Sequence, residues 1–174
     1  FSKNATKISV NRVTKLFNKI DYDEDLKYFC TLHALGKREC GIDTGNQLLK
    51  GKKWDAFKAY VGGIADKLNF ETYATEDGTM VYGNDYIKLI NLSKYRKISL
   101  ENQYSLQEHL QDVSYSNLQY IDRCLTKFKK ETGMFEFVDM ISQFIEKQKS
   151  PVFDAVFLDE AQDLNNLQWE MFHY

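Results

Sequence analysis

The chain has 174 residues, 43% of them hydrophobic and 14% aromatic, which is material for one packed domain, with or without an insertion, and argues against wholesale disorder. Its net charge of −2 hides a gradient: residues 1–60 hold 12 Lys/Arg against 7 Asp/Glu, whereas residues 131–174 hold 2 against 9. A basic first third can attract a phosphate backbone, an acidic end suits a metal-binding segment, and the odd, sparse set of three cysteines excludes a disulfide framework.

No apolar run approaches the ~20 residues that span a bilayer, and Phe1-Ser-Lys-Asn4 does not begin a secretory signal. A soluble, intracellular protein without a membrane partner is therefore expected. Cys30, His33 and Cys40 lack a fourth ligand at a suitable spacing, so no structural zinc is expected.

In chain order, Val13, Leu16, Phe17 and Ile20 recur at helical spacing and predict a helix from Ala5 onward. Asp21 to Asp25 is an acidic turn, and Leu26-Lys-Tyr-Phe-Cys-Thr31 reads as a strand rich in aromatic and β-favouring residues. Gly45 to Lys53 fails as a phosphate-binding loop: five residues separate its glycines instead of four, and Lys53 stands where the magnesium-binding hydroxyl belongs. Trp54, Phe57, Val61, Ile64 and Leu68 mark one face of a four-turn helix. Glu76-Asp-Gly-Thr79 signals a turn, with Tyr73 and Val81 in a small hairpin.

Asp85 to Lys97 is a further predicted helix, with Ile87, Ile90 and Leu92 apolar. Its end, Lys94-Tyr95-Arg96-Lys97, is either a grip for duplex phosphates or a solvated helix terminus whose cations suit the dipole. Ser116-Asn-Leu-Gln119 is a capping-box signature that starts a helix with Ile121, Leu125 and Phe128 inward, stopped by Gly133. Phe137, Val138, Ile141, Phe144 and Ile145 define the next helix, closed by Pro151. Val156-Phe157-Leu158 then reads as a buried strand of a parallel sheet that ends in Asp159 and Glu160. Ligands of open α/β sheets sit at such strand ends, although an Asp-Glu pair also suits the first turn of a helix.

The string Asp159-Glu-Ala-Gln-Asp163 after an apolar run resembles the Walker B box of superfamily 1 helicases of the UvrD/Rep/PcrA type, and Leu164-Asn-Asn-Leu-Gln-Trp169 resembles the residues just after that box in phage and bacterial members. Phe1-Ser-Lys-Asn-Ala-Thr-Lys7 is similar to their motif Ia, and Thr31-Leu-His-Ala-Leu35 to motif Ib, with Ala34 in place of the usual Ser. Phe135-Glu-Phe-Val-Asp-Met-Ile141 resembles the run before the Walker B box.

The resemblance implies an α/β fold: an incomplete RecA-like P-loop NTPase domain with a parallel sheet and a large, mainly α-helical insertion. Residues 1–44 would form the first part of the core, 45–150 the insertion, and 151–174 the return to the core. About 120 mostly helical residues between the two expected strands are far more than a crossover needs. Asp159 would hold Mg²⁺ through water, Glu160 would act as general base, Gln162 would sense the γ-phosphate of ATP, and Asp163 would support the box. Phe1, Ser2, Asn4, Thr31 and His33 would contact single-stranded DNA, and Tyr95, Arg96 and Lys97 the duplex side of a single-strand/double-strand junction.

This part of an ATP-dependent DNA helicase or translocase would work in the cytoplasm of a bacterial or phage-infected cell. Its partners would be ATP and the remaining helicase domains of the same parent chain. No Walker A loop, adenine-reading Gln motif or second RecA-like domain lies within these residues, so this stretch by itself is not expected to turn over ATP. The alternative is a non-catalytic DNA-binding or protein-interaction module derived from a helicase.

Overall fold

The computed structural model describes residues 3–17, 20–21, 23–64, 66, 68, 72–74, 80–82, 84–107, 113–148 and 150–174. Two compact units emerge, one formed by Phe1–Ile42 with Met140–Tyr174 and the other by Asp43–Asp139.

The described residues are mainly helical, which overturns the expected parallel-sheet α/β, RecA-like fold. Their sheet is one short antiparallel pair, β1 (Thr72–Ala74) with β2 (Met80–Tyr82), in which Tyr73 faces Val81. Neither expected core strand forms. Residues 23–28 are a series of turns because the acids of this stretch satisfy the backbone locally. The Asp21 carboxylate accepts the N–H groups of Asp23 and Glu24 at 2.9 and 3.2 Å, and the Asp25 carboxylate accepts that of Asp21 at 2.9 Å. Val156-Phe157-Leu158 has no regular structure, and Phe157 is 90% exposed. An apolar run becomes a buried strand only when a neighbour pairs its N–H and C=O groups, and among the described residues it has none.

In the first unit, α1 (Lys3–Leu16) begins earlier and ends earlier than the apolar spacing suggested, and it leaves Leu16 76% and Phe17 60% exposed. Helix α2 (Leu32–Cys40) is capped by the Thr31 hydroxyl, which accepts the Ala34 N–H at 3.1 Å. It ends at Gly41, whose positive φ of 65° lets its N–H turn back to the helix carbonyls. Buried Gly36 lies against α7 (Phe137–Lys147): a Cβ there would stand 2.6 Å from the Met140 carbonyl oxygen. Val138, Ile141, Phe144 and Ile145 of α7 are all buried, as their spacing predicts. Near α2, the Arg38 guanidinium lies 5.4 Å over the Tyr28 ring and donates to the Lys27 carbonyl, while Phe153 meets Tyr28 edge-on at 4.9 Å. The chain then passes a 3₁₀ turn (Ala161–Asp163) into α8 (Asn166–Phe172).

In the second unit, α3 (Lys53–Val61), α4 (Asp85–Arg96), α5 (Leu100–Ser105) and α6 (Tyr115–Thr132) pack around Trp54, Phe57, Ile87, Leu118 and Leu125. Helix α3 stops at Val61, short of the four turns that the apolar spacing predicted, because Gly62 adopts φ 70°, ψ −132°. Leu68 is buried without belonging to that helix. Helix α6 does end at Gly133, in the left-handed conformation, but it starts one residue before the expected Ser116 cap, with Ser114 at the cap position. A parallel bridge joins Leu48 to Phe135: Leu49 N–H donates to the Phe135 carbonyl and Phe135 N–H to the Gln47 carbonyl, both at 2.7 Å.

A charged knot closes this unit. The Lys129 ammonium donates to Glu136 at 2.9 Å and to both Asp139 oxygens at 2.9 and 2.7 Å. Glu136, only 1% exposed, also accepts the Asn91 amide at 2.9 Å. Burial opposes the charge on Lys129, but the two carboxylates outweigh it and raise its pKa. At Lys94 burial and the nearby Lys129 charge outweigh the pull of Glu136, Asp139 and Asp122 and lower its pKa.

Candidate functional site

The Asp159–Asp163 box sits on an irregular segment instead of at the end of a strand. Asp159, Glu160, Gln162 and Asp163 are all exposed. Glu160 has φ 52°, ψ 40°, a left-handed conformation uncommon for a residue with a Cβ. The other two such non-glycine residues among the described ones, Lys97 and Gln148, each directly follow a helix, where this conformation commonly ends the last turn. Glu160 instead opens the 3₁₀ turn, with its carbonyl accepting the Asp163 N–H at 2.9 Å.

That turn brings two of the candidate side chains together: the Gln162 amide donates to Glu160 Oε2. The Asp159 carboxylate has no hydrogen bond or ion pair among the described residues. Its chemistry fits the expected ion, since Mg²⁺ keeps several waters and takes only one or two protein carboxylates, the rest coming from substrate phosphates. Among the described residues no cluster of three or more acidic, His or Cys side chains forms a larger cage.

The remaining described candidates lie on or at the ends of the first, second and fourth helices. Phe1 and Ser2 fall outside the described residues, and Asn4 stands in the first turn of α1. Thr31 is engaged as the cap of α2, the structural role open to any Thr before a helix. His33 lies in the first turn of that helix, where burial lowers its pKa and keeps the imidazole neutral near pH 7. Tyr95 and Arg96 end α4, and Lys97 is its left-handed cap. Arg96 and Lys97 are exposed, and the Arg96 guanidinium donates to Gln103 at 3.2 Å, so the helix-terminus reading accounts for their geometry.

The Gly45–Lys53 segment is likewise not a phosphate cradle. Lys53 spends its ammonium on the carbonyls of Gly45 and Asn46, at 3.0 and 2.7 Å.

The sequence reading missed the support behind the box. Asn165 and Gln168 form a complete capping box at the start of α8, each side chain bonded to the other's N–H at 3.0 Å. The Asn-x-x-Gln spacing was the available signal. It anchors the C-terminal side of the acidic turn, together with buried Leu167 and Met171. All three cysteines are free thiols; burial raises the pKa of Cys30 although Arg38 pulls it down. No helix among the described residues is long and apolar enough to cross a membrane.

No family model matches the chain, and neither a curated protein nor a solved structure matches it.

Proposed function

We propose that the chain belongs to a DNA-dependent ATPase that moves along single-stranded DNA, and that it carries the metal-and-water half of the hydrolytic site. The observation that carries this reading is Glu160. The residue that the Asp-Glu-Ala-Gln-Asp string assigns as general base is held in a left-handed conformation without closing the last turn of a helix. Such strain concentrates at functional sites, and here it costs on the order of 1–3 kcal/mol.

In this reading Asp159 would hold Mg²⁺ through water, which would supply counter-charge for the phosphates. Glu160 accepts the proton of the attacking water on the oxygen that Gln162 does not occupy. Gln162, bonded to the base, moves with it, so a change at the γ-phosphate is felt at Glu160. Asp163 closes the turn through its N–H. The phosphate-binding loop and the charge-stabilising arginine come from sequence outside these residues.

Glu160→Gln in the complete protein tests the assignment. ATP turnover should fall by about 100-fold or more, with DNA binding retained. Unchanged turnover removes Glu160 from the role of base.

The non-catalytic alternative has its own support, since among the described residues the apolar run before the box lacks the paired strand that would fix two carboxylates against a nucleotide. For the isolated chain, salt-dependent binding of oligo-dT without ATP hydrolysis would favour this alternative.

A further inference from the structure

The outer face of α1 is a cationic surface that the motif residues do not include. Over its 14 residues the helix has Lys3, Lys7, Arg12 and Lys15 and no acid. At 3.6 residues per turn, Lys7, Ile8, Asn11, Arg12, Lys15 and Leu16 share about half of the circumference, and all six are exposed. Ser9, Val10, Val13 and Thr14 occupy the other half and are half-buried. Lys7, Arg12 and Lys15 make no ion pair among the described residues. The three cations span about 12 Å of helix, on the order of three nucleotide rises. Phe17, 60% exposed, lies just beyond the last of them.

We infer that this face is a track for a single-stranded nucleic acid, with Lys7, Arg12 and Lys15 meeting successive phosphates. The inference rests on the nucleic-acid reading above and extends it to residues outside the motifs. Charge complementarity selects a polyanion as the occupant, and three cations along one side over about 12 Å select one with a regular row of charges. A lipid surface fits less well, because the exposed apolar residues on this face, Ile8 and Leu16, stand about 12 Å apart along the helix and make no continuous stripe to insert.

The test is the salt dependence of binding of fluorescent oligo-dT to the full 174-residue chain. Lys7→Gln/Arg12→Gln/Lys15→Gln should lower the slope of log K against log salt by about 2, at about 0.7 per phosphate contact. Phe17→Ala, four residues after Val13 on the other side of the helix, should leave the slope unchanged. A matched variant, Lys88→Gln/Arg123→Gln/Lys130→Gln, removes three exposed cations from the other unit and should leave the slope unchanged. Circular dichroism checks folding, and if the triple variant is unfolded, Arg12→Gln alone should lower the slope by about 0.7.

A wild-type slope in the α1 variant, or an equal drop in the matched variant, overturns the track while leaving the DNA reading standing. Polyglutamate bound as tightly as oligo-dT also overturns it, by showing a site for acidic protein. Absence of any oligo-dT binding at low salt fails the DNA reading itself, and the track with it.

Discussion

Removing the Lys129 ammonium leaves two carboxylates, one of them almost fully buried, without their counter-charge. Lys129→Met should therefore destabilise the chain by about 3–5 kcal/mol in urea unfolding, far more than the loss of an exposed pair such as Lys127–Glu131. Because folding raises the Lys129 pKa, its contribution is complete below the unfolded lysine value of about 10.4. It is lost as pH rises above that value toward the higher folded one. Stability measured across that alkaline range should fall in the wild type and less steeply in Lys129→Met. None of this was legible in the sequence. The partners lie seven and ten positions away across the helix break at Gly133, and side-chain pairing across a break has no fixed spacing. Glu160 shows the opposite case: its residue type and neighbours singled it out, but its left-handed backbone could not be read from letters.

Gly36 shows how one missing side chain sets the approach of two helices. An added methyl would meet the Met140 carbonyl, which belongs to a rigid helix backbone and cannot swing aside. Gly36→Ala should cost about 1–3 kcal/mol in chemical denaturation, even though alanine is the better helix former by about 1 kcal/mol. A stabilised variant would place that contact elsewhere. Among the elements, helices with a sustained apolar period were readable: α7 from Val138, Ile141, Phe144 and Ile145, and α6 up to its glycine stop. Those near glycine pairs or short polar caps were not, as the early end of α3 and the unforeseen α5 show. The two misread strands share a cause. Leu26–Thr31 and Val156–Leu158 have strand-like composition, but a strand exists only by pairing; the first segment closes on itself in local turns, with Phe29 N–H donating to the Leu26 carbonyl, and among the described residues the second has no neighbour.

At the scale of the whole chain, the correction of the fold is itself measurable. Phe157 is 90% exposed, so Phe157→Ala should leave the unfolding midpoint of the 174-residue chain within about 0.5 kcal/mol of wild type. The buried strand read from the sequence would instead have cost about 3–5 kcal/mol. The acidic box does not depend on that strand for its chemical identity, since the residue types at 159–163 are the same in either setting.

The Leu48–Phe135 bridge has a broader consequence. Where the chain first pairs and where it returns, two backbones run side by side, about 5 Å apart. Whatever is folded between those points begins and ends at that stitch. Doubling the length of that interval would add only about 0.6 kcal/mol of closure cost. Material could thus be gained or trimmed there over generations without the stitch having to move.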